Sequence, residues 1–450
     1  MDRWGALALA SSLLAQTDGT QEGARLLTAP QRDAVRPRTA PATADVSADG
    51  RYIAFASYAA LVPADTGDRA DIYVLDRQTG AVTLESFGAD GRLLPGDTGH
   101  PRLSGDGRYV VFDTAVIADA EGTPTLQVFL RDRVAGTTRL LSAAPDGRVP
   151  NGRSGDPAIS ADGTAVVFSS SATDLVTGRD ENGPGLDVYL YEVGTEKLRR
   201  ISVDSRGLQR SQGSSYAPSV SGTGQYVAFV STADLPDSHD TLRVSPPSIA
   251  PKPFGHIYVR DVRAGTTARI TEPGPGIPAN GGSWAPAISA DGRHVAFASV
   301  ADNLVLRDRN RAADVFVHDR QAATTTLVSR SARRGSANGA SINPAISADG
   351  RVVAFQSDGS DLICAGRCRP GDEDINLLFD VYVYDRQAAS MRRLSGSRSG
   401  GWLEESGGAA TSADGNVIVF TSRHPIDRKD AGNDFDLYVA VAAGQQEIRR

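Results

Sequence analysis

Three short segments place oxygen-bearing side chains at loop spacings that suit a calcium ion. The segments contain Asp65, Asp68 and Asp71; Asp308, Asn310 and Asp314; and Asp430, Asp434 and Asp436. Calcium takes carboxylate and carboxamide oxygens, but it needs about six or more, and one segment supplies only three. The alternative is that the last aspartate of each segment hydrogen-bonds loop amides while the others are solvated turn residues. Both interpretations stay open, and no other cofactor is indicated.

A second set of residues recurs at corresponding places along the chain and combines aromatic rings with polar side chains. Its members are His100, Asp156, Tyr216, Trp284, Asn343 and Trp402. Exposed aromatic rings mixed with His, Asp and Asn suit stacking on a sugar or holding a peptide. The alternative is that Tyr216 and Trp284 pack between neighbouring structural units, because both residue types are commonly buried.

Catalysis has less support than binding. The six histidines contain no spaced pair typical of a metal site, and no phosphate-binding loop, Rossmann glycine pattern or haem motif occurs. A catalytic site built from distant segments would leave no local motif, so an enzymatic function stays an alternative.

The chain has two cysteines, Cys364 and Cys368, separated by three residues. In an exported protein this pair is expected to close a small disulfide loop. A zinc site is the other interpretation, but two cysteines without a nearby histidine or a second pair fall short of four ligands.

All of these residues lie within a repeat that runs along the chain. The tract Ser47-Ala48-Asp49-Gly50 and the apolar residues after it recur from Ser104, Ser160, Ser221, Ser289, Ser347 and Ser412, which makes seven copies. A second tract, first found at 71–77, follows each copy. Self-similarity at a regular spacing is the signature of a repeat architecture.

Each repeat is predicted to form four short strands, named a to d in chain order. The Ser-Ala-Asp-Gly quartet fits a tight turn between strands a and b. Strands b and c are apolar at consecutive positions, which indicates burial on both faces. The sequence therefore predicts an all-β fold, a seven-bladed β-propeller of four-stranded antiparallel blades. Its repeats start near residues 43, 100, 156, 217, 285, 343 and 408.

The repeat resembles the WD-like propeller repeat of the TolB family. The shared features are the tract Pro-x-x-Ser-x-Asp-Gly-Arg-x-Val-Ala-Phe, as at 286–297, and the tract Asp-Val-Tyr-Val-x-Asp-Arg, as at 380–386. The match covers roughly residues 24–450 and only the propeller, since the amino-terminal α/β domain of TolB has no counterpart before Asp45. Hydrolases of the prolyl oligopeptidase type carry similar propellers, but no Gly-x-Ser-x-Gly elbow is present here.

The two ends of the chain lead to separate predictions. Residues 1–22 contain an apolar run at 4–15 and are predicted to be a signal peptide or an N-terminal tail, and residues 23–450 are predicted to form a single propeller. The segment 23–30 resembles a strand d, and the segment 445–450 occupies the same place in the final repeat, so eight segments are candidates for seven outer strands. Closure by 23–30 beside strand c of the last repeat is favoured, because Leu26 and Leu27 are apolar and suit burial. No stretch is long and apolar enough for a membrane span.

Loop lengths and composition narrow the function classes. The a–b and c–d turns share one face and are short and alike, whereas the b–c and d–a loops share the other face and vary in length, which favours binding there. A net charge of −7 over 450 residues argues against a nucleic-acid partner. The sequence therefore favours an exported, periplasmic or secreted, non-enzymatic propeller that binds a protein or glycan. The alternatives are a carbohydrate-active lyase or hydrolase at the channel mouth and a calcium-stabilised cell-envelope scaffold.

Overall fold

The computed structural model describes the main part of the chain. The described residues are 25–26, 44–117, 123–235, 254–274, 277–306, 308–333, 335–364, 374, 378–395, 406–422 and 436–442. The predicted signal peptide or tail at 1–22 lies outside these ranges, as do Cys368, Trp402, Asp430 and Asp434.

Seven sheets of four antiparallel strands account for all the strands of the described residues, in blades one to seven. Strands a of neighbouring blades contact each other around the whole ring, so they line its axis. This confirms the predicted all-β, seven-bladed propeller. No described residue belongs to a helix long and apolar enough to cross a membrane.

The two inner strands of the blades, taken from blade one to blade seven, have the following bounds. Strands a are β2 (Ala44–Val46), β6 (Thr98–Leu103), β10 (Ser154–Ile159), β14 (Ser215–Val220), β18 (Ser283–Ile288), β22 (Ser341–Ile346) and β26 (Ser406–Thr411). Strands b are β3 (Tyr52–Ser57), β7 (Tyr109–Ile117), β11 (Ala165–Ser170), β15 (Tyr226–Ser231), β19 (His294–Ser299), β23 (Val352–Ser357) and β27 (Val417–Ser422).

The two outer strands follow in the same order. Strands c are β4 (Asp71–Asp76), β8 (Pro124–Asp132), β12 (Asp187–Glu192), β16 (His256–Asp261), β20 (Asp314–Asp319), β24 (Asp380–Asp385) and β28 (Asp436–Val441). Strands d are β5 (Val82–Leu84), β9 (Thr137–Leu140), β13 (Lys197–Arg200), β17 (Thr266–Arg269), β21 (Thr324–Leu327), β25 (Ser390–Arg393) and, in blade seven, β1 (Arg25–Leu26).

The core of each blade is built by strands b and c. Every residue of β11 and β23 is buried, as the continuous apolar runs predict. In every blade the strand b phenylalanine stacks on a Tyr or Phe of strand c, for example Phe168 on Tyr189 with ring centroids 5.9 Å apart. Pairs of this kind recur in all seven blades. Both faces of these sheets are therefore covered by neighbouring blades.

The Ser-x-Asp-Gly turn is held by its own side chains. The Ser47 hydroxyl donates to the Asp49 carboxylate at 2.6 Å and accepts the Tyr52 backbone N–H at 2.9 Å. The Asp49 carboxylate also accepts the Arg51 N–H at 2.9 Å. These bonds explain why the motif requires serine and favours aspartate two residues later.

Seven backbone hydrogen bonds join these turns into a closed circle. The donor N–H belongs to the residue directly after the motif serine, except in blade three, where it belongs to the second residue after the serine. The bonds, of 2.7 to 3.0 Å, run from Ala48 to Gly105, Gly105 to Ala161, Asp162 to Gly222, Gly222 to Ala290, Ala290 to Ala348, Ala348 to Ala413, and Ala413 back to Ala48. The a–b turn end of every blade is thereby fixed to both of its neighbours.

The chain ends close the ring in the predicted way. Strand β1 pairs antiparallel with β28, with Arg25 opposite Val439 and Leu26 opposite Tyr438. An amino-terminal strand thus completes the blade formed by the last three strands, so blade seven cannot separate without breaking this pairing.

The turn glycine of blade one makes a close contact across the same junction. Gly50 has φ of +73°, and a Cβ added to it would lie 2.5 Å from Val417 Cγ2 in blade seven. Gly136 has a similar φ of +66° in a c–d turn, but nothing lies within 4 Å of its added Cβ.

We expect Gly50→Ala to destabilise the protein more than Gly136→Ala. Gly136→Ala introduces only left-handed backbone strain, at about 1–2 kcal/mol, whereas Gly50→Ala adds overpacking at about 1–3 kcal/mol more. Denaturant unfolding of both variants measures the difference. Equal losses of stability would show that blades one and seven do not meet at this contact.

Candidate functional site

The innermost strands of blades two to seven each contain a residue with positive φ at the same place. These residues are His100, Asp156, Ala217, Ala285, Asn343 and Gly408, with φ between 48° and 60°. In each strand the register with strand b shifts at this point, as a β-bulge does. Bulges redirect side chains, and non-glycine residues in this conformation cost about 1–3 kcal/mol each.

The bulges lie toward the end of the channel opposite the circle of turns, where the d–a loops enter strand a. This end is called the channel mouth below, and it is defined by the six bulge residues. His100, Asp156 and Asn343 are exposed there. The sequence pattern predicts these residues just before strand a, whereas the structure places them inside β6, β10 and β22, because the bulge interrupts the strand pattern without ending the strand.

The two aromatic residues occupy a different position from the polar ones. Tyr216 and Trp284 lie one residue before the bulge, are half-buried, and pack against the apolar cluster of blades four and five. This packing corresponds to the alternative interpretation of these two residues, in which they lie between blades, and both rings retain some exposure. Trp402 lies outside the described residues.

His100 is held by a buried carboxylate. Its Nδ1 lies 3.1 and 3.0 Å from the two carboxylate oxygens of Asp113, a residue of β7 that is only 2% exposed. The same carboxylate accepts the backbone N–H of Asp156 in the next blade at 3.3 Å. This pairing occupies Nδ1 and leaves Nε2 as the other ring nitrogen, with 48% of the side chain exposed.

The electrostatics of this pair favour the imidazolium form. The hydrogen bond that His100 Nδ1–H donates to Asp113 raises the pKa of His100 above its usual value of 6.5, and the negative charges of Asp113 and Asp156 add to the shift, while burial opposes it. His100 is therefore a hydrogen-bond donor that titrates at a higher pH than a free histidine.

A neutral version of the same arrangement occurs in blade six. Asn343 Nδ2 donates to Gln356 Oε1 at 2.6 Å, and Gln356 Nε2 donates to the Ser406 carbonyl of blade seven at 2.9 Å. In both blades a polar residue of strand b supports the bulge side chain and also contacts the next blade. The channel mouth thus has two prearranged polar groups, one ionisable and one neutral.

Glycines in the following blade leave room for these supporting residues. A Cβ at Gly155 would lie 3.2 Å from Asp113 Oδ2, and one at Gly407 would lie 2.6 Å from Gln356 Nε2. Each glycine is the residue immediately before the bulge position of its blade, where blades four and five instead have Tyr216 and Trp284. The residue just before the bulge therefore differs between two kinds of blade. It is glycine where it faces the polar supporting residue of the preceding blade, and it is an aromatic residue in blades four and five.

Asp113 and Gln356 are not among the residues predicted from the sequence. A signal was present, because the corresponding position of strand b has small or apolar residues in three other blades, namely Ala56, Val230 and Ala298. A carboxylate and a carboxamide within otherwise apolar strands indicate a buried polar group that needs a partner. The partner itself requires the register of the bulge, which the sequence does not reveal.

The aspartates considered for calcium fall into several environments. Asp68 is exposed and Asn310 is half-buried. The other described members are buried, namely Asp65, Asp71, Asp308, Asp314 and Asp436. Asp71 and Asp314 each accept a hydrogen bond from a serine that follows strand d, Ser86 and Ser329 respectively. No cluster of three or more His, Cys, Asp or Glu able to hold a metal occurs among the described residues.

The serine partners refine the alternative interpretation of these aspartates. Ser329 donates to Asp314 at 2.6 Å and accepts the Val315 N–H at 3.0 Å. The last aspartate of the segment therefore anchors the strand d end through a hydroxyl group.

Cys364 is disulfide-bonded, and the chain's other cysteine is Cys368.

Fold and site together define a seven-bladed β-propeller with a polar channel mouth at its variable face. No family model and no curated protein matches the sequence. Among solved structures, an oligogalacturonate lyase from Vibrio parahaemolyticus is similar, with 13% identity, a TM-score of 0.52, and coverage of 94% of this chain and 95% of that chain. The β-propeller domain of the Trilobed protease from Pyrococcus furiosus has 11% identity, a TM-score of 0.51, and coverage of 91% and 95%.

TolB from Acinetobacter baumannii is also among the matching structures, with 15% identity and a TM-score of 0.41. The match covers 78% of this chain and spans 65% of the TolB chain. The β-propeller fold predicted from the repeat is shared with the solved propeller domain of the Trilobed protease. Identities this low establish the fold, and the activity has to be argued from this chain's own residues.

We expect the pKa of His100, measured by NMR titration, to lie above 6.5 and to fall when Asp113 is replaced by Asn. The substitution keeps an acceptor for the Asp156 N–H but removes the charge. A folded pKa above the unfolded value means that the pair stabilises the protein below about pH 6.5 and loses this contribution as the pH rises through the folded pKa.

His100→Asn is the matched control, since Asn occupies this position in blade six with φ of 50°. Its loss of stability relative to wild type should be larger at about pH 5 than at about pH 9. A loss that is independent of pH would contradict the His100–Asp113 ion pair.

Proposed function

We propose that the protein is an exported, non-enzymatic propeller that binds a protein or glycan partner at the channel mouth. The observation that carries this proposal is the pair of supported polar groups, His100 on Asp113 and Asn343 on Gln356. Both are exposed, sit at the same strand position, and are positioned by bonds to the next blade. Side chains held in this way lose little conformational entropy when a ligand binds.

The chemistry of the channel mouth suits a ligand rich in hydroxyl or amide groups. His100 supplies a donor, the exposed Asp156 supplies acceptors, and Asn343 supplies both. Tyr216 and Trp284, half-buried in the position just before the bulge of blades four and five, add partly exposed rings near the rim. Sugars and peptide backbones present the alternating donors, acceptors and apolar faces that match such a surface.

Export is supported by the cysteine chemistry. Cys364 is disulfide-bonded, and structural disulfides persist in oxidising compartments such as the periplasm and the exterior of the cell. We therefore infer a partner of the cell envelope or the exterior.

One observation favours the alternative of a carbohydrate-active lyase or hydrolase. The imidazole of His100, oriented by a buried carboxylate and with Nε2 left for a ligand, has the arrangement of a general acid–base group. The similar oligogalacturonate lyase from Vibrio parahaemolyticus shares the fold, and its name indicates an oligosaccharide substrate. The binding function is preferred because, among the six bulge residues that define the mouth, only His100 and Asp156 are titratable.

The binding proposal is tested on glycan and peptide arrays with purified wild type and four variants. We expect His100→Ala, Asn343→Ala and Trp284→Ala each to weaken binding of the same ligand by roughly tenfold, in line with the loss of one good polar or aromatic contact. Alanine is tolerated at the bulge, since Ala217 and Ala285 adopt the same conformation.

Val134→Ala is the control for the opposite face, because Val134 lies in a c–d turn and is 79% exposed. It should bind like wild type. Binding that is unchanged in all three mouth variants would exclude the channel mouth as the binding site.

A separate assay addresses catalysis. Incubation of wild type with uronate-containing oligosaccharides is expected to yield neither unsaturated products nor new reducing ends. Release of such products by wild type, abolished in His100→Asn, would contradict the non-enzymatic function and establish a lyase or hydrolase at the same residues.

A further inference from the structure

Blade three shows how the buried aspartates of a b–c loop are neutralised. Asp180 lies before strand c and Asp187 begins it, and both contact Arg200 of strand d. Arg200 Nη2 is 2.8 Å from Asp180 and Arg200 Nε is 3.1 Å from Asp187. The two carboxylates thus form a socket for one guanidinium, which offsets the cost of burying them.

Blade six repeats the arrangement. Arg393 Nη1 lies 3.7 Å from Asp374 and 3.4 Å from Asp380. The hydroxyl of Tyr382 in strand c also donates to Asp374 at 2.7 Å. Two blades therefore place a cation between the same pair of carboxylates, and a strand c tyrosine assists in one of them.

Blade five keeps the carboxylates but lacks both partners. The strand register places Leu327 where blades three and six have Arg200 and Arg393. The same register places Phe316, which has no hydroxyl, where blade six has Tyr382. The corresponding aspartates, Asp308 and Asp314, therefore have neither the guanidinium nor the phenol.

The consequence is visible in the hydrogen bonding of the two side chains. Asp314 is 0% exposed and its Oδ2 has no hydrogen-bond partner, and Asp308 is 8% exposed and its Oδ1 has none. The negative charge of Asp308 acts on Asp314, so the two carboxylates are close neighbours. Burial raises the pKa of Asp314 to about 7. The hydrogen bond from Ser329 opposes this shift, and the negative charge of Asp308 adds to it. Two adjacent buried carboxylates without a cation are costly.

The loop around the pair is fixed independently of any ligand. Asn310 Nδ2 donates to the Ala337 carbonyl at 2.9 Å, and its Oδ1 accepts the Ala312 N–H at 3.0 Å. The Arg309 N–H donates to the Ser336 hydroxyl at 3.1 Å. The carboxylates are thus presented on a prearranged backbone.

We propose that blade five binds a calcium ion between Asp308 and Asp314, in the place that a guanidinium occupies in blades three and six. The ion takes the unpartnered carboxylate oxygens, and water completes its coordination. Only oxygen ligands are present, which suits a hard cation. Ca²⁺ is preferred because Mg²⁺ gives up its waters reluctantly and demands a near-ideal octahedron, whereas Ca²⁺ tolerates irregular geometry at a buried pair of carboxylates.

Blade one provides a contrast within the same chain. Asp65 occupies the position of Asp308, but it accepts the Tyr73 hydroxyl and the Gly67 N–H, the latter at 2.9 Å. Its carboxylate is therefore satisfied without a cation, even though Leu84 stands at the arginine position. The missing tyrosine hydroxyl distinguishes blade five from blade one.

The experiment compares melting temperatures of wild type after chelation and with millimolar Ca²⁺ or Mg²⁺. Wild type is expected to gain about 2–4 °C with Ca²⁺, because a ligand that binds only the folded state stabilises it. Leu327→Arg rebuilds the guanidinium of blades three and six and should remove the calcium response without lowering the melting temperature of the chelated protein. Asp308→Asn should also abolish the response.

Asp68→Asn, at the exposed aspartate of the blade one loop, is the control and should respond like wild type. Calorimetric titration with Ca²⁺ provides a second readout, in which Asp308→Asn loses one binding event per chain. Equal melting of wild type with calcium and with chelator would overturn the proposal. So would a calcium response that persists in both Leu327→Arg and Asp308→Asn.

Discussion

The circle of backbone hydrogen bonds at the a–b turns is the constraint on which the rest of the propeller depends. Each turn donates to one neighbouring blade and accepts from the other, and the seventh bond returns to Ala48. This explains why the residue after the motif serine is always Ala or Gly: a Cβ at Gly105 would already lie 2.8 Å from the Ala161 carbonyl. Larger residues would separate the turns and break the circle.

Because the circle of a–b turns fixes one end of the channel, the side chains differ between blades mainly at the other end, the channel mouth. The bulges give six blades the same backbone, so the chemistry of the mouth depends on which side chain each carries: His100, Asp156 and Asn343 are polar, whereas Ala217 and Ala285 have no functional group. The b–c loops follow the same principle, since similar aspartate pairs meet Arg200 in blade three and Leu327 in blade five. The repeat supplies a common scaffold, and single substitutions create distinct sites on it.

The fold was predictable from the sequence because its determinants are local and repeated sevenfold. The Ser-x-Asp-Gly turn uses only residues within five positions of Ser47, and the apolar runs of strands b and c show burial on both faces. The site was predictable only in part. His100 and Asn343 were identified, but Asp113 and Gln356 were not, because each lies thirteen residues further along the chain and reaches its partner only across a register shift. The acidic loops were predicted as a group, whereas the difference between blades depends on strand d residues brought opposite them by pairing.

Native-state hydrogen exchange of the seven circle amides tests this account most directly. They are the N–H groups of Ala48, Gly105, Asp162, Gly222, Ala290, Ala348 and Ala413. If the circle is closed, no blade opens alone, and all seven amides should exchange with the same free energy, equal to that of global unfolding. Faster exchange of Ala48 and Ala413 than of Gly222 and Ala290 would contradict the account, because it would show that blades one and seven separate while the others stay folded.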